Sequence, residues 1–201
     1  MSKPFNPLDM ENLAKSVVNQ IEEKDPVPLD DVSTFVGAGV YALYYVGDFL
    51  AYAELSAANT ESLIQPIYVG KAVPKGGRRG LEAVSHTSTK ALSSRIREHA
   101  KSVRAAENLD IADFSARWLV VEDIWIALGE SAMIRRYRPV WNAVLDGFGN
   151  HDPGSGRVNG KRSMWDTLHP GRPWAKKYPG RDDTAEQITQ DVTQYIIDRL
   201  G

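Results

Sequence analysis

The sequence contains no cysteine among its 201 residues and only four histidines. The absence of cysteine excludes a disulfide-stabilised scaffold, a thiolate zinc site and a cysteine nucleophile. No apolar run approaches the length of about 18 residues that a membrane-spanning helix needs, and the N-terminal residues MSKPFNPLDM lack the basic-then-apolar layout of a secretory signal. With 42% hydrophobic and 25% charged residues, the composition is that of a globular protein. We therefore expect no membrane partner and a cytoplasmic location.

Several catalytic motifs are also missing or defective. The run GSGRVNGKR resembles a phosphate-binding loop, but the spacing from Gly154 to Gly160 is one residue too long, and Arg162 stands where Ser or Thr should bind magnesium. The sequence contains neither HExxH nor GxSxG, and it has no paired carboxylates beside a lysine of the kind that hold two metal ions. These absences argue against nucleotide binding by this loop, a metalloprotease, an esterase and a two-metal nuclease.

The formal net charge of -2 hides a strong alternation of charge along the chain. Residues 71–104 contain nine Lys or Arg against two Asp or Glu, and residues 131–181 contain ten against three. The segments before, between and after them are acidic. Two basic blocks separated by acidic ones are typical of a surface that binds a polyanion such as nucleic acid. Solvated charged faces without a partner would give the same pattern.

Hydrophobic periodicity predicts four helices and three short strands. The helices are expected over 9–24, with Asp9 as the N-cap, and over 89–106, 123–137 and 184–200. The strands are expected over 39–47, 66–71 and 115–122, where β-branched and aromatic residues are enriched. Residues 49–63 are ambiguous, and residues 146–181 are expected to form a long, irregular, basic loop segment rich in glycine and proline.

Two tyrosine triplets suggest a family. Gly39-Val40-Tyr41 is followed, 27 residues after Tyr41, by Tyr68-Val69-Gly70, and this pair resembles the motif that names the GIY-YIG nucleases, with Val in place of Ile in both triplets. Four further residues follow in the order and spacing of that family: Arg95 and His99 on one helix, Glu130 on a later helix, and Asn142. No catalytic position departs from the family pattern.

The resemblance is closest to the type II restriction endonucleases of this family that cut the palindrome CCGCGG. It rests on the runs AGVYALYYVG, PIYVGKAVP, LSSRIREH, RYRPVWN, DGFGNHDPGSGR and WDTLHPGRPWA, which span residues 38–175. It implies an α+β fold in which helices flank a small three-stranded antiparallel sheet. The nuclease core is then expected over 37–145, with an N-terminal helical extension over 1–36, and the basic loop segment and C-terminal helix over 146–201.

The resemblance also implies Mg²⁺-dependent hydrolysis of double-stranded DNA, and the residue types fit that chemistry. Glu130 is the expected Mg²⁺ ligand, because Mg²⁺ prefers oxygen and keeps most of its water. Arg95 is expected to brace the phosphate oxygens. Tyr41 and His99 are both candidates for the general base, and neither the resemblance nor the residue types decide between them. A tyrosine base needs its pKa of about 10 lowered by a cation, for which Lys71, Arg95 or the metal ion could serve.

The two remaining site candidates have supporting roles. Tyr68 is expected to orient the attacking water or the phosphate, and Asn142 to hold the geometry of the site. Each candidate also has a purely structural interpretation, because tyrosines in strands often only pack and asparagine often forms turns. The ordered set of six residues favours the functional interpretation.

Recognition of six G·C pairs requires donors that reach guanine O6 and N7 in the major groove. Two Gly-rich basic segments contain the predicted DNA-binding residues, which are Lys75, Arg78, Arg79, Arg157, Arg162 and Arg172. Possible additions are His86 and His151. Any one of them could instead contact phosphate without reading a base.

A palindromic target implies two-fold symmetry, and two cuts need two active sites. We therefore expect a homodimer, with the N-terminal or C-terminal helix in its interface, and a cognate DNA methyltransferase in the same system that is not a stable subunit. Two alternatives remain open: a less specific repair or mobile-element nuclease with the same core, and a DNA-binding protein without catalysis.

Overall fold

The computed structural model describes residues 9–74, 89–150 and 160–201, and it has the expected α+β architecture. The four strands are β1 (Val27–Pro28), β2 (Gly39–Tyr45), β3 (Tyr68–Ala72) and β4 (Phe114–Val120). The α-helices are α1 (Met10–Glu22), α2 (Ala53–Ala58), α3 (Ala91–Ala105), α4 (Asp123–Tyr137), α5 (Val140–Ala143), α6 (Met164–Leu168) and α7 (Ala185–Leu200). Short 3-10 turns occupy Leu29–Asp31, Leu50–Tyr52, Ile111–Asp113 and Ala175–Lys177.

The strands form one antiparallel sheet in the order β1-β4-β2-β3. The three predicted strands are confirmed as β2, β3 and β4, but the predicted count of three was too low. The additional strand, β1, pairs only Val27 and Pro28 with β4. A two-residue strand that ends in proline gives no periodic signal, because the alternation of a strand needs several residues to appear.

The central strand β2 is buried on both of its faces. One face of β2 contributes Tyr41, Leu43 and Tyr45 to a large hydrophobic cluster. The opposite face contributes Val40, Ala42 and Tyr44 to a second cluster. The first cluster includes residues of α3, α5, α6 and α7, whereas α1 and α4 contribute to the second. A strand enclosed in this way is almost continuously apolar, as GVYALYY is.

All four predicted helices are present as α1, α3, α4 and α7, each within about two residues of the predicted bounds. Asp9 is the N-cap of α1, as predicted. Thr184 forms a capping box with Gln187 at the start of α7. Helix α4 ends at Arg138, which adopts a left-handed conformation directly before Pro139. The ambiguous residues 49–63 contain one 3-10 turn and the short helix α2.

The predicted irregular loop over 146–181 is wrong in part. Within its described residues it contains α6 and a 3-10 turn, and Trp165 and Leu168 of α6 are buried in the larger cluster. Ser163 caps this helix by accepting a hydrogen bond from the Asp166 amide. Five residues between glycines and prolines are too few for a recognisable helical period, which is why the sequence pattern missed α6. Within the described ranges, none of the helices combines the length and apolar character needed to cross a membrane.

Candidate active site

The two tyrosine triplets lie side by side on β2 and β3. Tyr41 is directly opposite Gly70, and the ring centroids of Tyr41 and Tyr68 are 6.2 Å apart. Gly70 leaves the space that the Tyr41 hydroxyl occupies, since a Cβ at this position would collide with that oxygen. A Cβ at Gly39 would likewise collide with the Leu119 carbonyl oxygen of β4. The glycines of both triplets therefore allow tight packing of the strands around the tyrosines.

A buried hydrogen bond joins the sheet to α3. The distance between Tyr41 Oη and His99 Nε2 is 2.6 Å, and the two residues are 0% and 2% exposed. His99 and Arg95 are four residues apart on α3, so they lie on one side of the helix. The Arg95 guanidinium donates a hydrogen bond to the Gly149 carbonyl oxygen at 2.8 Å through Nη2. Arg95 also interacts with Tyr41, so a tyrosine, a histidine and an arginine lie together between the sheet and α3.

The acidity of Tyr41 differs from what a simple tyrosine base would require. Burial, with a contribution from Tyr68, raises the pKa of Tyr41 well above its ordinary value, and the opposing effect of Arg95 is smaller. Burial also raises the pKa of Tyr68, although Arg95 again opposes the shift. Arg95 therefore acts on the pKa of Tyr41 in the direction that a tyrosine base requires, but burial outweighs this effect. At neutral pH Tyr41 keeps its proton, and its hydroxyl is within hydrogen-bond distance of His99 Nε2.

Glu130 lies on α4, which packs against β3. Its Oε2 atom is 2.6 Å from Lys71 Nζ, and the Glu130 side chain is 19% exposed. The charge of Glu130 contributes to the raised pKa of Tyr68, so the carboxylate acts electrostatically on this tyrosine. Lys71 had been a candidate for lowering the pKa of Tyr41, but in the structure its partner is Glu130.

The residues at this site fit a magnesium ion that DNA would help to bind. Among residues 9–74, 89–150 and 160–201, no three Asp, Glu or His side chains form a preformed metal-binding cluster. Mg²⁺ is commonly held by one or two carboxylates together with substrate phosphates and water. Glu130 supplies one partly exposed carboxylate near Tyr68. The remaining ligands of the ion would then come from DNA phosphate and water.

Asn142 connects α5 to the second tyrosine triplet. Its Oδ1 accepts a hydrogen bond from the Val69 amide, and its Nδ2 donates one to the Val69 carbonyl oxygen, both at 2.8 Å. The neighbouring Trp141 amide donates to the Ile67 carbonyl oxygen. Strand β3 is at the edge of the sheet, so these bonds occupy backbone groups that no further strand pairs. Asn142 thereby fixes the strand that carries Tyr68.

The structure describes two of the six predicted DNA-binding residues. Lys75, Arg78, Arg79 and Arg157 lie outside the described residues, as do the additional candidates His86 and His151. Arg162 is half-buried and donates to the carbonyl oxygens of Ala175 and Tyr178 at 3.3 and 3.5 Å. Its position therefore leaves the prediction of DNA contact untested.

Arg172, the other described candidate for DNA contact, lies inside the protein, and the prediction that it binds DNA stays a prediction. Arg172 is 3% exposed and ion-paired with Asp166 at 2.6 Å. The rest of its guanidinium donates to backbone carbonyl oxygens. An arginine in a basic segment predicts contact with DNA, but its burial depends on how that segment packs, which composition does not reveal.

Sequence reasoning also missed residues that line the site. The Phe148 ring stacks on His99 with centroids 4.5 Å apart and an interplanar angle of 18°. Gly149 supplies the carbonyl oxygen that binds Arg95. Both residues lie in the run DGFGNHDPGSGR, which contributed to the family resemblance but was assigned only to a loop.

Comparison with known proteins agrees with this geometry. The family model described as "Eco29kI GIY-YIG domain" matches residues 33–196. This range contains both tyrosine triplets and every other candidate catalytic residue, and it also includes α6 and most of α7. No curated protein matches the sequence significantly.

Proposed function

Since the chain belongs to the Eco29kI GIY-YIG domain family, a family of restriction-type nucleases, we propose that it is a type II restriction endonuclease. In this proposal it hydrolyses phosphodiester bonds in both strands of DNA at a specific sequence, in the cytoplasm, with Mg²⁺ as cofactor. The observation that carries the proposal is the buried hydrogen bond between Tyr41 and His99, which lies beside Arg95 and close to a partly exposed Glu130.

The hydrogen bond supplies a route for the proton of the attacking water. As water attacks phosphorus, its proton passes to Tyr41 Oη while the hydroxyl proton of Tyr41 passes to His99 Nε2. The tyrosine is neutral before and after the transfer, and the positive charge forms on the imidazole. This route needs no phenolate in the resting site, which agrees with the raised pKa of Tyr41. Tyr41 and His99 would then act as one general base rather than as alternatives.

Arg95 and Glu130 would act on the phosphate. The Arg95 guanidinium, half-buried beside Tyr41 and Tyr68, stabilises the negative charge that develops on the non-bridging oxygens. Glu130 would hold Mg²⁺, and this ion supplies electrophilic charge to the phosphate and the leaving 3′ oxygen when it is bound. Lys71, which pairs with Glu130, limits the repulsion between this carboxylate and the approaching DNA backbone.

We infer the palindrome CCGCGG as the target from the sequence runs that resemble enzymes cutting this site. A palindrome supports a homodimer whose two active sites cut opposite strands. A cognate methyltransferase in the same system would protect the host DNA.

Digestion of plasmids that contain or lack CCGCGG tests the whole proposal. With Mg²⁺ we expect discrete fragments only from plasmids that contain the site, and no cleavage after addition of EDTA. Smears or nicks on both plasmids would instead support a less specific nuclease. Binding without cleavage would support a DNA-binding protein that lacks catalysis.

A further inference from the structure

The buried ion pair between Arg172 and Asp166 is the most extensively bonded polar group in the described part of the chain. Arg172 Nε and Nη2 each donate to a carboxylate oxygen of Asp166 at 2.6 Å, and the side chains are 3% and 1% exposed. The rings of Trp165 and Trp174 lie 4.5 and 4.6 Å from the guanidinium carbon. Ser163 Oγ donates a further hydrogen bond to Asp166.

The remaining donors of Arg172 hold a single stretch of backbone. They bind the carbonyl oxygens of Gly147 at 2.9 Å, Phe148 at 3.0 Å and Asn150 at 3.3 Å. We refer to residues 147–150 as the site turn. The guanidinium is planar with donors in fixed directions, so it binds several acceptors in one geometry, whereas a lysine ammonium on a flexible stem cannot.

The site turn is in direct contact with the catalytic residues. Arg172 binds the carbonyl oxygens of three residues of the turn and leaves that of Gly149 unbound. The Gly149 carbonyl oxygen instead accepts a hydrogen bond from Arg95 Nη2 at 2.8 Å. A Cβ at Gly149 would lie 3.0 Å from Tyr68 Oη and 3.1 Å from Arg95 Nη2. Phe148 stacks on His99 and meets the Tyr68 ring edge-on at 5.0 Å. A displacement of this turn would therefore move the partners of Arg95 and His99 together.

We propose that Arg172, fixed by Asp166, is a positioning residue that sets the orientation of Arg95 and His99 through the site turn. The inference rests on the proposed nuclease function, in which Arg95 binds the reacting phosphate and His99 receives the proton of the Tyr41 hydroxyl. Arg172 itself touches neither. A purely stabilising role would alter the folded fraction but not the chemistry of the folded molecules, so the two roles have different consequences.

The test compares Arg172→Lys with a matched control, Arg117→Lys. Arg117 is a half-buried arginine that likewise donates to a backbone carbonyl, that of Leu63. Its guanidinium lies over the Tyr44 ring on the opposite face of the sheet. Each protein is first checked for folding by circular dichroism and thermal unfolding. Single-turnover cleavage is then measured on a duplex that the wild-type protein cuts. If Arg172→Lys does not fold, Asp166→Asn replaces it, because it keeps the shape of the carboxylate and removes its charge.

We expect Arg172→Lys to lower the single-turnover rate about 30-fold or more, with Arg117→Lys close to wild type. In an Arg95→Lys background the same substitution should lower the rate by a smaller factor, because the part of the effect that acts through Arg95 is already lost and only the part that acts through His99 remains. An equal factor in both backgrounds, or an unchanged rate in a folded variant, overturns the inference while the nuclease function stands.

A spectroscopic measurement separates failure of the inference from failure of the proposed function. The Phe148 ring current shifts the His99 Cε1–H resonance, so Arg172→Lys should move that resonance and Arg117→Lys should not. This readout does not need cleavage. If the wild-type protein cuts no DNA, the proposed function is wrong, and the His99 resonance alone tests the positioning role of Arg172. A changed chemical shift in Arg172→Lys supports that role, and an unchanged chemical shift overturns it. The resonance also decides if Arg95→Lys cuts too slowly to be measured.

Discussion

Tyr41 is a core residue that we propose is also a reactive group. Its ring belongs to the large hydrophobic cluster, and its hydroxyl contacts His99 at 2.6 Å. The burial that makes it a good core residue also raises its pKa, which disfavours the phenolate. A tyrosine in this environment can act as a base only if its own proton leaves at the same time, and the imidazole is placed to receive it.

Removal of the Tyr41 hydroxyl should therefore abolish most of the activity without loss of packing. We expect Tyr41→Phe to lower single-turnover cleavage by roughly 100-fold or more. Tyr44→Phe is the matched control, since Tyr44 is equally buried on the opposite face of β2 and should cut like the wild type. His99→Ala should be as slow as Tyr41→Phe, and the double variant should be no slower than either. A near-normal Tyr41→Phe beside an inactive His99→Ala would make the histidine alone the base.

At Glu130 the proposed role is metal binding, so its charge should matter for cleavage and not for binding. Glu130→Gln should abolish Mg²⁺-dependent cleavage while the gel-shift affinity for target DNA holds or improves, because a carboxylate no longer repels the phosphate. Glu107→Gln serves as the control, since Glu107 is an exposed carboxylate that pairs with Lys176 and is not a candidate site residue. A Glu130→Gln protein that cuts DNA would contradict the assignment.

His169 provides a prediction about pH and stability. Its Nε2 accepts from Tyr52 Oη at 2.6 Å, its Nδ1 contacts Asn108 Oδ1 at 3.0 Å, and burial lowers its pKa to about 3. The native ring stays neutral between pH 6.5 and 3, whereas the unfolded chain takes up a proton below about pH 6.5, so stability falls as the pH falls through this window. This group alone should remove about 2 kcal/mol between pH 7.5 and pH 5.

Urea unfolding at both pH values checks that expectation. His169→Gln should be less stable than the wild type at pH 7.5 and should lose about 2 kcal/mol less on acidification, because glutamine does not titrate. An identical pH dependence in the two proteins would show that His169 is not the titrating group.

At the level of elements, the site depends on an edge strand that is held by a helix instead of by another strand. Both atoms of the Asn142 amide bind the backbone of Val69, between Tyr68 and Gly70. We expect Asn142→Ala to cost about 1–3 kcal/mol of unfolding free energy, since it leaves two backbone groups of β3 without their partner. It should also reduce cleavage of the folded protein, measured under single-turnover conditions. Full activity at full stability would show that β3 does not need this contact.

The sequence made some of these elements predictable and left others hidden. The four-residue spacing of Arg95 and His99 places both on one side of α3, which helical geometry alone predicts. The contact between Tyr41 and His99 depends on how α3 packs across the sheet, and no local pattern encodes that distance. Helix α6 and strand β1 were missed because they are too short to show a period. The burial of Arg172 could not be predicted, because residue type does not reveal how a segment packs.

For the whole molecule, the proposed palindromic target implies a symmetric pair of active sites. One chain contains one set of the six candidate catalytic residues, so a cut in both strands would require two chains or two binding events. We expect sedimentation of the protein bound to a CCGCGG duplex to give two chains per duplex. The expected interface includes α1 or α7, and a single chain per duplex would contradict the symmetric arrangement.

In a symmetric dimer, each arginine that reads a guanine contributes twice. A bidentate contact to guanine is worth about 1–3 kcal/mol, so replacing one such arginine by alanine should cost about twice that on the cognate duplex. The loss should be smaller on a duplex mismatched at the same symmetric positions. A phosphate contact should instead weaken all duplexes alike and lower the salt dependence. Alanine variants of Arg78, Arg79, Arg157 and Arg162, assayed on CCGCGG and single-mismatch duplexes, distinguish the two kinds of contact.

Arg172→Ala should leave the ratio of cognate to mismatch cleavage unchanged, because its guanidinium is bound inside the protein. If only Arg172→Ala alters that ratio, both its assignment as a positioning residue and the proposed set of base-reading residues are wrong.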